Sequence, residues 1–226
     1  DAQVDDPLAL DYAVGWTDDG EWYNYTRTFP AGTYQFYARI SANTASSGRL
    51  DWVTSSPTAA NQTTSPMGCV QVASTGDTYK FTFAPLSDAF GTPLVQRLTA
   101  GLKTMRWTKV SGTLDLNFFM FAPVADPGTL TPFVSEVIPA QNATGVNPTA
   151  SIAATITDRD TKLNTSSVQM LFDGTNDVTS LLQKATVAGG LKVTYAMATI
   201  LPANSVHTVT LIYADNAATP NKYTNT

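Results

Sequence analysis

The sequence predicts an all-β protein built as two β-sandwich domains in tandem, and three observations carry that prediction. Short runs of alternating apolar and polar residues, bounded by Gly, Pro, Asn and Asp, recur along the chain while helical spacing is nearly absent. The length of 226 residues exceeds one small sandwich and suits two domains of about 100–125 residues each. A break at "APVADPGTLTPF", residues 122–133, holds three prolines and separates unlike compositions: beyond it there is no Trp, and Phe133 and Phe172 are the only phenylalanines. The first domain is therefore placed at residues 1–125, a linker at 126–132 and the second domain at 133–226.

In the first domain, "GWTDDGEWYNYTRTFPAGTYQFYARI" (residues 15–40) carries two of the four tryptophans and four of the nine tyrosines, interrupted by a polar turn with Asp18, Asp19 and Glu21. "EWYNYTRTF" is a strand, and "FPAGTY" is a turn in which Pro30 fixes φ and Gly32 is permissive. In "TYQFYARI", period two puts Tyr34, Phe36, Ala38 and Ile40 on a core face, with Gln35, Tyr37 and Arg39 on the other. Further strands follow at "TYKFTFAP", "TMRWTKV" and "LDLNFFMFAPV"; Trp107 shares the phase of Met105 and is expected in the core. Trp16 stands in a loop beside Asp18 and Asp19, which an apolar interior would not tolerate without partners, so it is expected to be exposed.

In the second domain, "TASIAATITD", "SSVQMLFDG", "LKVTYAMATI" and "SVHTVTLIYAD" are strands of an immunoglobulin-like sandwich. "DVTSLLQKA" (residues 177–185) is one helical turn or a loop. His207, the sole histidine, is expected to point from a strand into solvent.

Composition narrows the function. Charged residues make up 14% and the net charge is −5, so no basic stripe exists to neutralise nucleic acid or an anionic membrane. No apolar run approaches the length of a membrane span. Cys69 stands alone, so no intrachain disulfide forms. No nucleophile–base pair, HExxH, GxSxG or phosphate loop occurs, and the chain is expected not to be an enzyme; Asp18, Asp19 and Glu21 suit a solvated turn better than the paired acids of a glycosidase. Carboxylates in "DAQVDDP", "TDDGE", "TDRDTKLN" and "DGTND" offer oxygens for Ca2+, though none has EF-hand spacing. An exposed ring beside carboxylates and amides suits a sugar, whose C–H face packs on the ring while its hydroxyls bond the polar edge.

Four ordered pieces carry a resemblance over residues 11–124: "YAVGWTDDGEWYNYTRTFPAGTYQFYARI", "STGDTYKFTFAPLSDAFG", "LTAGLKTMRWT" and "LDLNFFMFAPV". Together they resemble a family 6 carbohydrate-binding module, a jelly-roll-like sandwich of the galactose-binding-like group. The resemblance implies a cleft for polysaccharide or oligosaccharide, bordered by two aromatics and an asparagine, and a structural Ca2+. Its first aromatic falls on Trp16. Its second, a tryptophan after a Thr-Gly pair, falls on Thr78 after Thr75-Gly76, with Tyr79 adjacent; its asparagine falls on Asp115, two before Asn117. The resemblance also places Trp22 inside. The N-terminal calcium ligands of the family have Asp1, Asp5 and Asp6 as substitutes, and the closing strand of the second domain is expected beyond "NKYTNT". The expected site is thus Trp16, Asp18, Tyr79, Asp115 and Asn117. The expected protein is a secreted or bacterial cell-surface one, a fragment of a longer modular polypeptide with neighbouring domains. A structural role in an adhesin or extracellular filament is the alternative.

Overall fold

The computed structural model describes residues 12–226, and the chain divides into two compact units at Asp126/Pro127. Both are built of antiparallel strands. Among the described residues there is no α-helix, only two short 3-10 turns, and no helix long and apolar enough to cross a membrane.

The first unit contains β1 (Trp22–Phe29), β2 (Gly32–Ala42), β3 (Ser46–Val53), β4 (Thr64–Val72), β5 (Thr82–Ser87), β6 (Val95–Leu98), β7 (Gly101–Ser111) and β8 (Leu114–Pro123). They form one sheet in the order β1-β7-β3-β4-β5-β2-β6, with β8 also paired to β2. β4 meets β5 through only Cys69↔Ser87 and Val70↔Leu86. At this narrow seam the sheet curls over, so that Leu50, Met105 and Trp107 share one core with Phe36, Ile40 and Leu116. Rings span that core, Tyr25 to Phe119 at 5.3 Å and Trp107 to Phe119 at 5.8 Å. The benzo edge of the Trp107 indole fills the space beside Gly48, where any Cβ would collide with it.

Phe36, Ala38 and Ile40 are fully buried and Trp107 is too, as period two requires. Three other expectations are corrected. Tyr34 is only half-buried, at the mouth of a small cleft with Arg27, Phe29 and Phe121. Gln35 and Arg39 are buried rather than solvated, because β2 runs inside the sheet with β5, β6 and β8 alongside. Each finds partners there: Gln35 Nε2 donates to the Leu86 carbonyl at 3.1 Å and Arg39 Nη1 to Asn117 Oδ1 at 2.6 Å. Trp22 is not core but 47% exposed. In β1 the core-facing phase is Tyr23, Tyr25 and Phe29, so Trp22 shares the outer phase with Asn24 and Thr26. The Arg106 guanidinium covers its ring at 3.9 Å.

The second unit contains β9 (Phe133–Ile138), β10 (Ile152–Thr157), β11 (Gln169–Phe172), β12 (Asn176–Asp177), β13 (Gln183–Val187), β14 (Gly190–Tyr195), β15 (Val209–Ala214) and β16 (Lys222–Asn225). They make two four-stranded sheets, β13-β14-β10-β9 and β12-β11-β15-β16. Val134, Ile156, Val168, Met170, Val193 and Leu211 are buried. The segment 177–185 contains a 3-10 turn at Thr179–Leu181 and then enters β13. "KYTN" is itself a strand, with Tyr223 stacked on Tyr213 at 4.9 Å. Asp126 is held in the first unit by Arg97 at 2.7 Å, and Leu130 is buried in the second.

Candidate functional site

The chain before β1 lies against β8. Val14 and Leu116 exchange backbone hydrogen bonds at 2.8 and 2.9 Å, which sets Gly15 directly over the Asp115 carboxylate. A Cβ at position 15 would collide with Asp115 Oδ1, so a larger residue there would push the carboxylate aside. The next residue, Trp16, has φ of +59°. A left-handed backbone costs a residue with a Cβ about 1–2 kcal/mol, and such strain persists where the surroundings over-determine it. Here the Val14 bridge fixes one side. The other is fixed where Gly20 N donates to the Lys109 carbonyl at 2.8 Å and Lys109 N to the Glu21 carbonyl at 3.0 Å. The result is a fully exposed indole.

Facing this segment is the loop 73–80, fastened to the end of β2. Thr75 N donates to the Ala42 carbonyl at 2.8 Å, Ala42 N donates to Thr75 Oγ1 at 3.0 Å, and the buried Ser41 hydroxyl donates to the Thr78 carbonyl. Asp77 Oδ1 accepts the Tyr79 N–H at 3.0 Å and closes the last turn. Tyr79 emerges 79% exposed.

These two segments and β8 enclose a cleft of about 270 Å³ lined by Ala13, Gly15, Trp16, Thr78, Tyr79, Phe81, Asp115 and Asn117. The fold therefore brings together Trp16, Tyr79, Asp115 and Asn117. It does not bring Asp18: its turn is tied to β7 instead, with Glu21 Oε2 accepting the Asp18 N–H at 2.9 Å and Asp19 paired with Lys109 at 2.8 Å. Asn117 is positioned by Arg39 on its oxygen and by the Tyr12 carbonyl, which its Nδ2 reaches at 2.8 Å. Arg39 in turn lies over the Phe81 ring at 4.5 Å. Burial pushes the Asp115 carboxyl above the usual carboxylate range. Phe81 and Gly15 were not singled out from the sequence. Phe81 shares the phase of Tyr79 and Phe83, a signal that alternation contains; nothing local marks Gly15.

Such a cleft stacks a flat, partly apolar ring and accepts hydrogen bonds from its rim. No group of three or more His, Cys, Asp or Glu side chains gathers to hold a metal among the described residues, and Asp1, Asp5 and Asp6 lie outside them. The loop acids mostly serve backbone donors: Asp158 accepts Leu163 N–H, Asp160 accepts Leu130 N–H and Asp177 accepts Thr179 N–H.

One constellation in the second unit was not foreseen. His207 does not point freely into solvent. Its Nδ1 meets Asp173 Oδ2 at 2.8 Å and its Nε2 meets Ser205 Oγ at 2.7 Å, while the ring stacks on Phe172 at 5.2 Å. The order Asp–His–Ser is that of an acyl-transfer triad. Here, however, Ser205 Oγ also donates to the Pro202 carbonyl at 2.6 Å. Ser205 Oγ is thus held between the His207 ring and a backbone carbonyl. The arrangement ties the loop before β15 to the end of β11. No family model matches this sequence and no curated protein matches it.

Proposed function

We propose that the first unit is a non-catalytic carbohydrate-binding module, a jelly-roll-like sandwich that takes a polysaccharide or oligosaccharide in the cleft of Trp16 and Tyr79. The second unit serves as an immunoglobulin-like spacer in a longer secreted or cell-surface protein. One observation carries the reading: a strained, fully exposed indole is held on the same cleft as an exposed phenol, a carboxylate and an amide. Folding alone gives no reason to hold a tryptophan left-handed in water. A sugar gives one, since its C–H face covers the indole and its hydroxyls donate to Asp115.

Affinity electrophoresis of the full chain against a panel of plant, algal and bacterial polysaccharides tests this. Retardation by at least one is expected, and Trp16→Ala should weaken it about tenfold or more, the scale of one lost stacking contact. Undiminished binding by that variant, or no retardation by any glycan, would remove the reading. Chromogenic glycosides in parallel should show no turnover.

A further inference from the structure

The first unit supplies partners to its covered carboxylates. Asp51 is paired with Arg49 at 2.8 Å and Asp126 with Arg97 at 2.7 Å. Asp88 accepts backbone N–H groups of Phe90 and Thr92 at 2.9 and 2.8 Å. Asp115 differs. It is partly desolvated and faces the cleft, yet it has no hydrogen bond or ion pair with any described residue. The cation whose chemistry would suit it, Arg39, is turned onto Asn117 and lies over Phe81. A carboxylate withdrawn from water without a partner is costly, and this one is crowded further by the bare α-carbon of Gly15.

We propose that the cleft takes a protonated amino sugar, with its ammonium group received by Asp115 and its ring stacked on Trp16. This rests on the carbohydrate reading above and narrows its ligand class. A carboxylate only accepts and an ammonium only donates, so the two match completely, and hydrogen bonds between two ions are the strong kind. Neutral hydroxyls would leave the negative charge uncompensated, and an asparagine at position 115 would serve them at less cost. Exposed aromatic faces add to the preference, because their quadrupoles attract a cation, indole most of all. The chain's net charge of −5 also raises the local concentration of a cationic ligand.

The test is calorimetric titration of the full chain with short glucosamine oligosaccharides, their N-acetylated counterparts and neutral glucose oligosaccharides. The amino series should bind about tenfold or more tightly than either other series and weaken with added salt. Asp115→Asn should abolish that preference. Glu136→Gln removes the same charge in the second unit and should change nothing; an equal loss there would mean bulk attraction and overturn the proposal. So would equal or tighter binding of the neutral or acetylated series, or a preference that survives Asp115→Asn. Neutral binding that depends on Trp16 but shows no amino preference would sink this inference alone. A folded chain that binds no member of the three series and no glycan of the panel would sink the carbohydrate reading with it.

Discussion

At the scale of single residues, the tryptophans have separate tasks. Trp107 is buried against Gly48 and Phe119, so Trp107→Ala should cost about 3–5 kcal/mol as a large core truncation. Trp22 loses only the cover of Arg106 and half its contact, and Trp22→Ala should cost ~1 kcal/mol or less, the scale of a cation–π contact. Chemical denaturation of the two variants checks this; equal losses would put Trp22 back in the core. Phase explains what was legible: Phe36, Ala38, Ile40 and Trp107 followed from alternation alone. Trp22 did not follow: the resemblance places it inside, whereas the phase it shares with Asn24 and Thr26 turns it outward. Asp115 makes a prediction of opposite sign. Burial raises its pKa in the folded state, so its ionised form disfavours folding at neutral pH, and this cost is relieved as pH falls through the raised value. Asp115→Asn should therefore raise Tm at pH 7 and confer no gain in strong acid. A lower Tm at pH 7 would show that the carboxylate has a stabilising partner.

At the scale of elements, strands with clean alternation were visible and strands with interruptions were not. The run around Trp52 reads as a strand and is β3, but β4 went unseen because Pro66 and Gly68 break its pattern. The boundaries of the cleft were partly visible, since Trp16 and Tyr79 flank recognisable turns. Asp115 and Asn117 on β8 came from the resemblance; alternation alone does not reveal the Val14↔Leu116 bridge that brings the chain before β1 onto that strand. The clasp of Ser205, His207 and Asp173 was hidden for the same reason: it joins the approach to β15 with the end of β11. Its bonds are local and polar, so His207→Gln should loosen the 202–208 loop to proteolysis without touching the cleft. Limited proteolysis with mapped cut sites checks this, and an unchanged digestion pattern would deny the clasp its role.

At the scale of the whole molecule, acid should act unequally on the two units. In the second unit Asp173 is held below the ordinary aspartate value of 3.8 by its bonds from His207 and Thr208. Asp177 is held below it by Thr179. For Asp215 burial opposes ionisation, yet bonds from Asn221, Ala217 and Thr161 outweigh it and hold the carboxyl low as well. Each contributes stability that is complete above the unfolded value and is lost as pH falls below it through the depressed folded value. In the first unit Asp115 shifts the other way. Below about pH 4 the second unit should therefore lose stability first, with Tyr213 and Tyr223 becoming solvated while Trp107 stays buried. Tyrosine and tryptophan near-ultraviolet circular dichroism separate the two events, and coincident loss of both signals would contradict the assignment.

The exposed indole of Trp16 has an optical consequence. Trp107 emits from an apolar interior and Trp16 from water, so their contributions separate by wavelength and by access to an aqueous quencher such as iodide. A ring laid on Trp16 would move only the red, quenchable part of the emission and leave the blue part as an internal standard. In a Trp22→Phe background Trp52 stays partly buried against Phe29 and Phe36, and Trp16 is the one fully exposed indole, so the cleft would report its own occupancy without any label.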